Sequence, residues 1–176
     1  LPVEDPGTLV QLDGPGPFRG STYENQTFSY PMYRDFVAQN KVFTGVLARF
    51  PTVATLVVDG QPERVQAEVV SGNYFEVLGV QPAAGRLFSG ADEQTPRAHP
   101  VVVLSHGYWE RRFGADRGVV GRSVTINSQP MTVVGVSPKG FHGARGGSSL
   151  DIAVPVMMKP VMTPTWDDLG NRRSRW

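Results

Sequence analysis

The chain has 176 residues, 40% of them hydrophobic and 19% charged, and its 17 basic and 16 acidic side chains leave a formal net charge of +1. Those proportions exclude a disordered chain and leave room for a core of its own. The near-neutral balance gives none of the clustered basic surface that nucleic-acid binding needs. The absence of cysteine rules out disulfides, a thiol nucleophile and cysteine-held zinc.

In chain order, residues 1–27 are rich in glycine and proline and read as irregular connection, apart from a short strand at Thr8–Asp13. A helix follows Ser29, which serves as N-cap with Pro31 in the first turn. Met32, Phe36 and Val37 share one face, and Asn40-Lys41 closes the helix. Phe43–Phe50 and Val53–Val58 read as short strands. Asp59-Gly60-Gln61 then turns the chain into a strand at Arg64–Val70, which makes a hairpin. Asn73–Leu78 is a short helix closed by Gly79.

Val101–Leu104 is fully apolar, the pattern of a strand buried on both faces. His106–Phe113 is a helix capped by Ser105 and ended by Gly114. Arg122–Ile126 and Met131–Val136 flank Asn127-Ser-Gln-Pro as a second hairpin, and Ile152–Val156 is a last strand. Hairpins mixed with short helices predict an α+β fold with a mixed or antiparallel sheet.

The sequence offers little chemistry. Ser105 and His106 are adjacent, but the G-x-S-x-G elbow is missing because Val103 stands at its first glycine position. A hydrolase would need Ser105, His106 and an acid such as Asp151. His99, His106 and His142 lack the i, i+4 spacing of a metal-binding helix. Gly14-Pro-Gly-Pro-Phe-Arg-Gly and Gly143-Ala-Arg-Gly-Gly do not match a phosphate-binding loop, and no Walker A sequence is present. The paired carboxylates Asp92-Glu93 and Asp167-Asp168 read as solvated loop residues, and Arg172, Arg173 and Arg175 as a solvated end. Tyr74, Phe75, Tyr108, Trp109 and Phe113 are core candidates, with Phe75 and Trp109 as anchors. Arg86, Arg111 and Arg112 are expected in internal ion pairs or on loop carbonyls. No residue is assigned a catalytic, cofactor-binding or metal-binding role.

Three segments occur together in a fixed order: EVVSGNYFEVLGVQPAAGRLF at Glu68–Phe88, VVVLSHGYWERRFG at Val101–Gly114 and MTVVGVSPKGF at Met131–Phe141. In order, spacing and residue type they resemble the periplasmic core domain in permease subunits of MacB-like ABC transporters, across Phe28–Pro155. Within that family the wording is most similar to the duplicated orphan permeases of acidobacteria. The resemblance implies a non-catalytic extracytoplasmic domain of a bacterial inner-membrane protein, without a cofactor, that contacts partners or substrates and transmits ATP-driven motion. It implies as partners an ABC ATPase domain or subunit, flanking transmembrane helices, and a second permease copy or a periplasmic adaptor. It also implies a core at residues 28–160, as one domain or two small subdomains meeting near residue 89, followed by a truncated segment at 161–176. A strand–helix–strand unit would follow Trp176 in the family, so one sheet edge is expected to lack a partner and the piece to be at most weakly dimeric. Alternative readings are a periplasmic small-molecule binding module and a stand-alone serine hydrolase.

Overall fold

Two tight hairpins lay down most of the sheet. The computed structural model describes residues 3, 5–12, 27–145 and 149–176. Strands β1 (Arg49–Val58) and β2 (Gln61–Val70) are joined by Asp59 and Gly60, with φ of 52° and 74°. Strands β5 (Ser123–Ile126) and β6 (Gln129–Val136) are joined by Asn127 and Ser128, with φ of 47° and 68°. Positive φ at both central residues gives the turn whose twist matches that of the flanking strands, and Asp, Asn and Gly tolerate it best. The two hairpins meet where β1 pairs antiparallel with β5 at Leu56–Ile126 and Val57–Thr125.

The remaining strands are β3 (Ala84–Gly85), β4 (Val101–Leu104) and β7 (Ile152–Pro155). The sheet runs β3-β6-β4-β7-β2-β1-β5, and a further β5–β6 pairing closes it on itself. β7 is parallel to β2, and β4 is parallel to β6 but antiparallel to β7. The fold is therefore α+β with a mixed sheet, and strands from both sides of residue 89 share it. A bulge in β6 between the partners of Val102 and Val103 leaves the Val134 carbonyl free to accept the Arg86 N–H at 2.9 Å.

Closure alters the expected edge. Among the described strands, Arg49–Ala54 of β1 pairs only with β2. Pro51 sits in that stretch without an N–H to offer, which blunts the row for strand addition.

Among the described residues, four short α-helices complete the fold: α1 (Tyr30–Gln39), α2 (Tyr74–Val77), α3 (His106–Phe113) and α4 (Lys159–Met162). The Ser29 hydroxyl caps α1 by accepting from Met32 N at 3.3 Å, and Ser105 caps α3 by accepting from Tyr108 N at 3.1 Å. Gly114 ends α3 at φ 59°. Two apolar clusters result. One fills the closed sheet with Leu56, Val69, Leu104, Ile126 and Val133, and takes in Tyr108 and Trp109 of α3. The other lies against Val70, Val103 and Ala153 and holds Tyr74, Phe75, Phe88 and Phe141.

Three local expectations are corrected. Asp5 and Pro6 set up a 3-10 turn at Pro6–Thr8, and Leu9–Leu12 form no strand; Asp13 and the Gly14–Gly20 loop lie outside the described residues. Phe43–Ala48 is not a strand either. The Asn40 side chain gathers the Val42 and Phe43 amides at 3.1 and 2.9 Å and donates to Phe43 O at 2.7 Å, a side-chain turn that competes with strand pairing. On α1, Tyr33 is the buried residue, while Val37 is exposed.

Candidate functional site

The motif residues are occupied by structure. In VSGNYF, the Ser71 hydroxyl accepts from Ala48 N at 2.9 Å and bonds Asn73 at 2.8 Å, while Asn73 reaches Val46 O at 2.9 Å. Gly72 donates its N–H to Glu93, and a Cβ there would press into the Ser89 carbonyl. The buried Tyr74 hydroxyl donates to Glu68 at 2.9 Å and accepts from Ala144 N at 2.9 Å. Burial, reinforced by Glu68, holds the Tyr74 hydroxyl well above the ordinary tyrosine range, so it stays neutral. Glu68 is itself buried and paired with Arg49. A shallow depression beside it, lined by Pro51, Thr52, Gln66 and Leu150, therefore finds that carboxylate already committed.

In GRLF, Gly85 adopts φ 64°, and a Cβ would meet Val134 O. At Gly135 in VVGV, a Cβ would fall within the radius of the Arg86 carbonyl oxygen. These glycines let β3 and β6 approach each other, and no side chain could take their place without parting them. Arg86 forks onto Asp92 at 2.8 and 2.9 Å and also bonds Leu87 O at 3.1 Å. Asp92 is buried, contrary to the solvated pair expected at Asp92-Glu93, because Ser89 and Asp92 form a capping box and Arg86 neutralises the charge. Glu93 accepts from Tyr30 at 2.8 Å.

The geometry gives a pH prediction. Burial alone would raise the Asp92 carboxyl, but the Arg86 hydrogen bonds and the Ser89 N–H outweigh it and hold the group below its ordinary value. A depressed folded value adds stability above the unfolded value and loses it as pH falls through the folded one. Asp92→Asn should therefore lower the thermal midpoint at pH about 7, and the gap to the native chain should narrow as pH falls below about 4. A gap that stays constant from neutral to acid pH would contradict the assignment.

The hydrolase constellation is not assembled. The Ser105 hydroxyl is buried and caps α3. His106 Nδ1 faces Glu110 at 3.5 Å and its ring packs edge-on against Trp109 at 5.3 Å. Asp151 accepts from Gln66 N at 2.9 Å and from Arg111 at 3.1 Å, so both its oxygens are engaged. Arg112 pairs with Glu63 at 3.1 Å and reaches Val58 O at 3.0 Å. Among the described residues, no group of histidines and carboxylates has the arrangement to hold a metal ion.

The most unusual electrostatic feature is Lys159, at the start of α4 and fully buried. Its ammonium bonds Thr163 Oγ1 at 3.2 Å and the Trp166 carbonyl at 2.9 Å, and pairs with Asp168. The indoles of Trp166 and Trp176 lie over it at 4.8 and 4.6 Å, with Phe50 of β1 at 5.9 Å. Three donors and three acceptors match, which is what a buried ammonium requires. Asp168 also accepts from Ser174. Trp166, Asp168 and Trp176 thus fold onto Lys159, while Thr165, Asn171, Arg172 and Arg173 stay exposed. Asp167 remains exposed and pairs with Arg97 at 3.3 Å.

This segment also reaches α1. Arg172 pairs with Asp35, and Trp176 N donates to Phe28 O at 3.5 Å. Helix α1 is otherwise held by hydroxyls: Tyr30 on Glu93 and Tyr33 on Asn73 at 3.2 Å. Burial pushes the Tyr33 hydroxyl up to about 12, so it donates as a neutral group. Lys159 was not expected from the sequence. The available signal was that it is the sole charged residue in the apolar run Ile152–Met162.

Comparison with known proteins adds the following. A family model described as the MacB-like periplasmic core domain matches residues 2–174. The probable syringafactin export ATP-binding/permease protein SyfD of Pseudomonas syringae pv. tomato is 34% identical over 90 residues, 51% of this chain and 13% of that protein. The macrolide export ATP-binding/permease protein MacB of Salmonella paratyphi A is 31% identical over 104 residues, 58% of this chain and 16% of that protein. The chain thus spans only a small part of the curated relatives it matches. The crystal structure of the periplasmic region of MacB from Actinobacillus actinomycetemcomitans superposes with a TM-score of 0.61 at 20% identity, over 80% of this chain and 63% of that one. The extracellular domain of the noncanonic ABC-type transporter YknZ from Gram-positive bacteria gives 0.62 at 19% identity, over 78% and 67%.

Proposed function

Since the chain belongs to the MacB-like periplasmic core domain family, we propose that it works as the non-catalytic extracytoplasmic part of an ABC-transporter permease. In this role it contacts a partner or substrate and transmits ATP-driven motion across the membrane. The observation that carries this reading is the family match over residues 2–174. It is supported by the relatives, whose names describe ATP-binding/permease export proteins. The interior supports it as well: Ser105, His106, Asp92 and Lys159 are each committed to a structural partner.

The ATPase is then a separate domain or subunit, and the partners are that ATPase, flanking transmembrane helices, and a second permease copy or an adaptor. A closed sheet suits such a part, since it resists shear and passes displacement from one attached segment to another. The attached segments are α1 and residues 163–176, which meet at Asp35–Arg172. None of the helices among the described residues is long and apolar enough to cross a membrane.

Location is directly testable because the chain has no cysteine and Val42 is 85% exposed on the turn built by Asn40. With Val42→Cys placed in the membrane-embedded permease, a membrane-impermeant maleimide should label intact cells as fully as lysed ones. Labelling only after lysis would place the domain on the cytoplasmic side and end the proposal.

A further inference from the structure

We infer that residues 163–176 form a strap that opens as a unit on the Lys159 pivot while the closed sheet stays folded. The strap has no strand or α-helix. Its polar anchors converge on Lys159, addressed by the Trp166 carbonyl and ring, the Asp168 carboxylate and the Trp176 ring, while Leu169 and Trp176 also pack into the sheet's apolar cluster and Asp167 pairs with Arg97. Its internal hydrogen bonds are local, with Trp166 N on Thr163 O at 2.9 Å and Ser174 N on Asn171 O at 3.2 Å. No strap residue belongs to the β-ladder. Opening therefore costs the sheet no ladder hydrogen bond.

The chemistry of the clasp favours release. A buried ion pair gains attraction but carries the desolvation of both charges, so its net hold is weaker than its contacts suggest. On opening, water returns to Lys159 and Asp168 together and much of that desolvation is recovered. An apolar clasp would recover nothing. The outer tie, Arg172 on Asp35, joins two exposed side chains and adds little. Trp176 Nε1 is buried with no hydrogen-bond partner, and opening would give it water. Each of these features lowers the cost of opening relative to unfolding of the sheet. The strap would then lift away from Phe50 and let go of Asp35 on α1 and of Phe28 just before it. The latch belongs to the domain alone, whichever membrane protein carries it.

Native-state hydrogen exchange on the 176-residue chain tests this. The strap reporters are the amides of Trp166 and Ser174. The sheet reporters are Val133, bonded to Arg122 O at 2.9 Å, and Ser137, bonded to Leu104 O at 2.9 Å. Strap amides should exchange at least about tenfold faster than sheet amides, with little dependence on denaturant, the mark of a local opening. Asp168→Asn should speed the strap by a further factor of about ten and leave Val133 unchanged. Arg172→Ala, a surface change that the fold tolerates, should speed the strap more modestly and also leave the sheet alone. Equal rates and equal denaturant dependence in strap and sheet would overturn the latch, as would Asp168→Asn accelerating both sets alike. Should Asp168→Asn fail to fold, the native chain and Arg172→Ala still decide the matter.

Discussion

Replacing Trp109 by alanine should destabilise the domain by about 3–5 kcal/mol, the range for truncating a large buried aromatic. The indole is 6% exposed and lies in the cluster that fills the closed sheet. It also does more than occupy volume. Its Nε1 donates to the Asp116 carbonyl at 2.8 Å and its own carbonyl accepts from Ala115 N at 3.3 Å, so the ring fastens the turn that follows α3. Alanine would leave a cavity, which is the main cost, while the exposed Asp116 carbonyl keeps the Val119 N–H at 3.3 Å. Against the 5–15 kcal/mol typical of a domain, such a loss is a large share. Urea unfolding should show a lower midpoint at an unchanged slope. Trp109→Phe, which keeps most of the volume and loses only the hydrogen bond, should cost markedly less. An unchanged midpoint for Trp109→Ala would put the ring at the surface.

The features that could be read from the sequence are those fixed by a few adjacent residues. Helix α3 runs from the cap at Ser105 to the left-handed Gly114 because a hydroxyl N-cap and a glycine stop are local chemistry. Both hairpins follow from Asp59-Gly60 and Asn127-Ser128, whose backbone angles few other residues accept. The ion pairs of Arg86, Arg111 and Arg112 were anticipated as a class, although their partners were not.

What escaped the sequence depends on distant residues. Closure of the sheet needs β5 to touch both β1 and β6, and no local pattern encodes that. Asp92 looked solvated beside Glu93 because its burial depends on Arg86 crossing back over the Ser89 turn. Strand β3 has only two residues, Ala84 and Gly85, too few for any periodicity to register. Arg172 is exposed, as a solvated end would be, but its pairing with Asp35, 137 positions earlier in the chain, is beyond any local pattern. Lys159 was hidden for the same reason: its acid, Asp168, arrives on a segment with no regular structure to predict.

The glycines of the family motifs carry a related lesson. Gly72, Gly85 and Gly135 each stand where a Cβ would strike a backbone carbonyl. Their recurrence within the motif words reflects close approach of backbones, with Arg86 and Glu93 pinned across the gaps. The sequence words that carry the resemblance are thus, in this chain, joints of the scaffold.

The claim that this part carries movement is tested most directly by fastening α1 to the strap. Cysteines at Asp35→Cys and Arg172→Cys, joined by a short bis-maleimide in the otherwise unaltered permease with its ATPase, would hold α1 and the strap together where their side chains already pair. The uncrosslinked double variant should hydrolyse ATP at the native rate, since the surface pair contributes little. After complete cross-linking, verified by mass, ATP hydrolysis in membranes should fall by about tenfold or more, because a step that gates the cycle is blocked. Hydrolysis that continues at the native rate with every molecule cross-linked would contradict the account.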